Sequence, residues 1–188
     1  MKTLKERQIS CLFLMDRHQH WYHSGILGFA DSIPSIAEVI AGYQAKHQTT
    51  YAMGHSMGGY AALLFSAICS LNGCIATAPQ TSITQQHRLQ WGDRRWGQKI
   101  PEARDRSPTP QYFDLRETLA ASASRHLIFY TEAHKVDEKH ALHVGDLPSV
   151  TLCGVEGHDY NTAKALRNSG ALGEMLDLVA VGGLLQGP

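Results

Sequence analysis

The sequence predicts an α/β fold: a doubly wound, mostly parallel sheet flanked by helices. Three observations point there. Short apolar runs of the kind buried on both faces of a parallel sheet recur at 9–15, 49–53, 74–78, 125–131 and 149–155. Helix-forming stretches separate most of them, which is the pattern of strand–helix–strand units. A glycine-rich turn, Gly54-His55-Ser56-Met57-Gly58-Gly59, joins the second run directly to a helix-forming segment.

The first run, Ile-Ser-Cys-Leu-Phe-Leu-Met at 9–15, reads as a buried parallel strand. It ends in Asp16-Arg17-His18-Gln19-His20-Trp21-Tyr22, a polar and aromatic loop where α/β sheets place ligand sites. Trp21 and Tyr22 are candidates to line a pocket; the alternative is that they pack the loop down. Ser32 is placed to cap a helix with Pro34 in its first turn. Ile33, Ile36, Ala37, Ile40 and Ala41 share one face of that helix, which runs to about Lys46. The helix after the glycine turn stops near Asn72-Gly73. The strand Cys74–Ala78 is stopped by Pro79.

Residues 80–112 break the alternation. Arg88, Trp91, Arg94, Arg95, Trp96, Arg104 and Arg106 crowd this stretch, and Pro101, Pro108 and Pro110 punctuate it. A long segment without periodicity reads as an insertion, a lid over one end of the sheet. The alternative is a solvated basic excursion. Its Arg and Trp content suits anionic or sugar-like substrates. A helix over Phe113–Ser122, strands at 125–131 and 149–155, and a helical C-terminus complete the chain.

At 188 residues the chain can bury a sizeable core as one domain, 1–188, carrying the insertion at 80–112. The 17 basic and 17 acidic side chains cancel, which removes the global basic field expected of a nucleic-acid binder. Cys11, Cys69, Cys74 and Cys153 form no C-x-x-C pair. They read as buried free thiols, suited to a reducing, cytoplasmic setting. Met1–Gln8 holds no apolar core of a signal peptide, and no run of 18 apolar residues predicts a membrane span. The oligomeric state stays open, a homo-oligomer included.

The chemistry is read from G-x-S-x-G at Gly54, Ser56 and Gly58. A strand, a tight glycine turn, a serine and a helix are the context in which a serine hydroxyl stands clear of a sheet edge. The helix that follows points its N-terminus at the serine, where free amides and the positive dipole end favour a developing oxyanion. The amide of Met57 is the first expected donor. A nucleophilic serine needs a base and a carboxylate to orient it, each in a loop after a later strand, in the order serine, acid, histidine. His158, following the last strand, is the base. His134, His140 and His143 are its competitors in the acid loop, while His55, inside the elbow, packs near it. Asp137, six residues past the 125–131 strand, is the first choice of acid; Glu132, Glu138 and Asp159 are alternatives. This chemistry needs no metal or organic cofactor.

Gly-His-Ser-Met-Gly-Gly-Tyr at 54–60, Ala-Pro-Gln at 78–80, Asp-Glu-Lys-His-Ala at 137–141 and Glu-Gly-His-Asp at 156–159 together resemble the α/β-hydrolase superfamily. More narrowly, the pattern is similar to small bacterial serine hydrolase-like proteins, some associated with surface-polysaccharide gene sets. The likeness covers roughly 9–180. It implies a compact α/β-hydrolase fold with a Ser56–Asp137–His158 triad and Met57 lending its amide to an oxyanion hole. It also implies a serine esterase or acyl hydrolase that cleaves an ester or thioester through an acyl-enzyme. The substrate would be a small-molecule ester or an acylated saccharide, with neither nucleic acid nor membrane as partner. Acyl transfer to a saccharide, or a catalytically weak binding protein, are the alternatives. The sequence departs from the pattern after the first strand, where Asp16-Arg17-His18 replaces the usual His-Gly-Gly. The amide of Arg17 is then the candidate second oxyanion donor. In many relatives the acid follows its strand sooner, where this chain has His134.

Overall fold

The computed structural model describes residues 2–156 and 162–183. Helices α1 (Lys2–Glu6) and α2 (Ile33–Gln44) precede a four-stranded sheet. Strand β1 (Tyr51–His55) leads directly into α3 (Met57–Ile68), which crosses to β2 (Gly73–Thr77). A long excursion follows, with α4 (Gln85–Trp91), α5 (Lys99–Arg106), a 3-10 turn (Pro110–Phe113) and α6 (Arg116–Ala120). The chain returns through β3 (Arg125–Thr131), α7 (Lys135–Leu142) and β4 (Val150–Val155), then α8 (Thr162–Ser169) and α9 (Ala171–Ala180). All strand pairs are parallel, in the order β1-β2-β3-β4. Gly54 lies beside Ala76 and Ile128 beside Leu152.

Strand alternation divides the core between two faces. Cys74, Ala76 and Ile128 face the larger cluster, with Leu63 and Leu64 of α3, Leu119 of α6 and Ile36 of α2. Ile75, Leu127 and Phe129 face the other, against Leu166 of α8 and Met175 of α9. Both faces are therefore covered, which is why these strands read as unbroken apolar runs. Helix α3 is buried over Gly59–Ser66, as a helix apolar all round must be. Helix α2 starts as its sequence predicts. Ser32 and Ser35 form a reciprocal capping box, and Ile33, Ile36 and Ile40 are buried.

Three expectations are corrected. The run at 9–15 is irregular rather than a buried strand. Cys11, Leu12, Phe13 and Met15 are exposed, and only Leu14 packs against the core. A strand needs a ladder partner, and no backbone hydrogen bond joins 9–15 to β1. β1 is consequently an edge, with Met53 48% exposed, and the described order advances one way from it. Cys11 is thus an exposed thiol, while Cys74 is buried; all four cysteines are free. The helix expected over Phe113–Ser122 is split, because Asp114 forms an isolated bridge with Ser82. Its Leu115 and Leu119 are nonetheless fully buried. Among the described residues no helix is long and apolar enough to cross a membrane.

The glycine turn is tight at Gly54, which the motif names, and at Gly59, which it does not. A Cβ on Gly54 would overlap the Gly58 carbonyl. One on Gly59 would come within 3.1 Å of Pro79 Cβ, whereas one on Gly58 meets nothing within 4 Å. Gly54→Ala is expected to cost about 2–3 kcal/mol through forced backbone movement. Gly58→Ala, inside α3, is expected to be neutral or to stabilise by up to about 1 kcal/mol. Thermal unfolding of the two variants checks the contrast; a loss at Gly58→Ala as large as at Gly54→Ala contradicts it.

Candidate active site

Ser56 sits between β1 and α3 with φ 54° and ψ −117°. Such a conformation is costly for a side-chain-bearing residue and persists only where its surroundings enforce it. The enforcement is visible. The Ser56 amide donates to the Thr77 carbonyl of β2 at 2.9 Å, and the Ser56 carbonyl takes the Tyr60 amide at 3.0 Å. Although Ser56 is the N-cap of α3, its hydroxyl does not cap the helix. Met57 is the first residue of α3, so its amide belongs to the unsatisfied first turn of a long buried helix.

His55 packs beside the elbow. Its Nδ1 lies 2.9 Å from Thr77 Oγ1, and that hydroxyl donates to the Gly54 carbonyl at 3.3 Å. Thr77 therefore accepts from His55, and Nδ1 carries the proton. Burial pushes the His55 imidazole down, while the charge of Asp137 pulls it up. The elbow and the β3 loop thus meet electrostatically.

Asp137 lies in the first turn of α7 and is fully buried. Its Oδ1 accepts Arg95 Nη1 at 2.7 Å. Its Oδ2 lies 3.0 Å from His134 Nδ1. That nitrogen, however, is aligned to accept the Asp137 amide at 3.4 Å as the helix cap, so a neutral imidazole offers Oδ2 no proton there. Among the described residues Oδ2 has no hydrogen-bond donor, an expensive state for a buried carboxylate oxygen. The other carboxylates of this loop sit differently. Glu132 is exposed and lies across Gly154, and Glu138 pairs with Lys135 at 2.9 Å. His158 and Asp159 lie outside the described residues.

The excursion between β2 and β3 is fastened to α7 by a buried ionic network that the sequence did not announce. Arg95 grips Asp93 with Nε and Nη2 at 2.9 and 3.0 Å while reaching Asp137 with Nη1. His140, one turn after Asp137 and fully buried, brings Nε2 within 3.1 Å of Asp93 Oδ2. Burial alone would raise the Asp93 carboxyl, but His140 and Arg95 outweigh it and hold it well below the usual carboxylate range. Asp93 also walls a cleft of about 550 Å³ whose lining includes Arg88, Arg94 and Arg104. Arg88 Nη1 is buried there without a hydrogen-bond partner among the described residues.

The loop after residue 15 is built around one carboxylate. Asp16 Oδ1 accepts the amides of His18 and Gln19 at 2.9 and 3.1 Å, and Oδ2 those of His20 and Tyr22 at 2.7 and 3.0 Å. Gln19, Trp21 and Tyr22 all take positive φ within it. Arg17 is exposed, and its amide is left out of this set. Trp21 and Tyr22 do not line an open pocket. Trp21 has no exposed surface and donates Nε1–H to Gln80 Oε1 at 3.2 Å, while Tyr22 donates its hydroxyl to the Leu14 carbonyl at 3.1 Å. The rings pack the loop down because its strained backbone turns them inward.

A parallel sheet, a strained serine at a strand-to-helix turn and helices on both faces define the α/β-hydrolase fold. The solved structures agree. The chain is similar to fluorophosphonate-binding serine hydrolase F (FphF) of Staphylococcus aureus, with a TM-score of 0.58 at 15% identity over 92% of this chain and 74% of that one. It is also similar to the capsule O-acetyltransferase of Neisseria meningitidis serogroup A, with a TM-score of 0.55 at 15% identity over 72% of this chain. The chain spans 61% of the length of that acetyltransferase. No protein-family model matches the sequence. No curated protein sequence matches it either.

Proposed function

We propose that the chain is a serine hydrolase that cleaves an ester or thioester through an acyl-enzyme. Ser56 Oγ attacks the acyl carbonyl as His158 takes its proton. The tetrahedral oxyanion is met by the Met57 amide, with the Arg17 amide as second donor. His158 returns the proton to the departing alkoxide or thiolate, and water repeats the sequence to release the acid. Asp137 orients His158 through Oδ2, the oxygen that Arg95 leaves untouched. The single observation carrying this reading is the Ser56 backbone, φ 54° and ψ −117°, strain that folding alone does not require.

A second reading keeps the same residues but passes the acyl group to a saccharide hydroxyl in place of water. The cleft beside Asp93, lined by Arg88, Arg94 and Arg104, favours it, since guanidinium groups suit an acidic acceptor and Arg88 Nη1 has no hydrogen-bond partner among the described residues. The likeness to a capsule O-acetyltransferase supports it at the level of fold. Four free thiols suit the cytoplasmic setting read from the sequence.

A fluorophosphonate probe tests the common core of both readings. Labelling of the chain, lost in Ser56→Ala, is the expected result. Absence of labelling in the parent chain would favour a binding protein that kept the fold without turnover. On p-nitrophenyl esters a preference for short acyl groups is expected, with turnover falling as the acyl group lengthens; faster turnover on eight-carbon or longer esters contradicts it. Product analysis with and without an acceptor sugar separates hydrolysis from transfer.

A further inference from the structure

Away from Ser56, three metal-ligating side chains from three segments converge. His87 comes from α4, Asp114 from the bridge with Ser82, and His143 from the C-cap of α7. His143 Nε2 lies 2.7 Å from Asp114 Oδ1, and His87 Nδ1 lies 3.4 Å from Asp114 Oδ2. One ligand atom from each residue falls within 4.8 Å of the others. We propose that these three side chains bind a single divalent transition-metal ion, zinc by preference.

The donor set has the right chemistry. Two imidazole nitrogens and one carboxylate oxygen suit zinc and its neighbours, and not the all-oxygen preference of calcium or magnesium. Bonds of about 2.0–2.1 Å at tetrahedral angles place donors about 3.3 Å apart. The observed spacings bracket that figure, so small side-chain rotations admit the ion. The side chains are 20%, 31% and 13% exposed for His87, Asp114 and His143. That exposure gives entry and leaves room for water as a further ligand.

The surroundings hold the ligands in place, as metal sites require. The Arg116 amide donates to Asp114 Oδ1 at 3.0 Å. Trp91 stacks on His87 with ring centres 4.6 Å apart and planes 6° from parallel. Ser82 Oγ, 2.9 Å from His87 Nδ1, supplies a nearby oxygen. The Arg116 guanidinium, which feels the charge of Asp114, is paired with Asp146 at 2.7 Å. Asp114 is acceptor-only as a carboxylate, so His143 Nε2 now carries the proton between them; coordination moves it to Nδ1. The ion would pin α4, in the excursion, to the end of the helix that carries Asp137. The site shares no residue with the proposed triad, so it stands or falls separately.

The test uses the full chain, stripped of metal with a chelator and titrated with zinc chloride by calorimetry. One ion per chain is expected, with His87→Gln and His143→Gln each weakening binding about 10- to 100-fold. Asp114→Asn keeps the shape and should also weaken it. Binding to the parent chain that these changes leave untouched would assign the ion to other histidines and overturn the proposal, as would no saturable binding. If a variant fails to fold, cobalt in the parent chain decides. Intense visible bands of a four-coordinate ion support the site, and the weak bands of a six-coordinate aquo ion overturn it.

Discussion

Exchanging His158 for alanine is expected to lower kcat on a short ester by about 10⁴- to 10⁶-fold with little change in KM. Without an imidazole the Ser56 hydroxyl keeps its proton and stays a poor nucleophile, while substrate binding does not depend on that step. Asp137→Asn gives the sharper reading. If Oδ2 accepts from the imidazole, an amide there stabilises the wrong tautomer, and kcat should fall by about 10⁴-fold. A loss under tenfold would return the role to Glu132, Glu138 or Asp159. Because Asp137→Asn also removes the charge that Arg95 Nη1 meets at 2.7 Å, the kinetics are read on protein whose folded fraction is known from circular dichroism.

Arg95→Ala is expected to destabilise the fold by about 3 kcal/mol, near the lower end for a broken buried ion pair because the guanidinium is 24% exposed. At this chain length that lowers Tm by roughly 6–12 °C. Asp93 and Asp137 would be left as buried carboxylates, Asp93 beside His140 and Asp137 beside His134. The pH dependence has a definite sign. The Asp93 carboxyl is held below its ordinary value, so its contribution is complete above about pH 4 and is lost as pH falls through the depressed folded value. In the variant the stranded Asp93 carboxylate is relieved by protonation. The stability gap between parent and variant should therefore be widest near neutral pH and narrow in acid. Urea unfolding at several pH values measures it; a gap that widens in acid would refute the account.

The sheet was legible because its strands are buried on both faces and announce themselves as apolar runs. Arg125–Thr131 appears where the sequence predicts it, and the other three strands shift by two residues or fewer. Residues 9–15 carry the same signal and misled, because an apolar run predicts burial only if a neighbouring strand bonds to it. Helices α4 and α5 were illegible for the opposite reason. α4 buries nothing and α5 only Ile100 and Ala103, so neither has a periodic apolar face. At the candidate site, Ser56 was proposed from glycine spacing and Asp137 from its order after β3. The Asp93–Arg95–Asp137–His140 network was not, since pairing across 42 residues leaves no local pattern. Nor does any sequence rule place His87 beside Asp114 and His143; only the chain's return through the Ser82 bridge does.

The four amides gathered on Asp16 bear on how this protein can change. The curve from 16 to 22 is drawn by main-chain atoms converging on one carboxylate, so its outline is indifferent to which side chains it carries outward. Arg17 and Gln19 project into solvent from that frame. Evolution, or an engineer, can redecorate Arg17 freely and Gln19 with any residue that tolerates its positive φ, provided the aspartate that anchors the hoop is left alone.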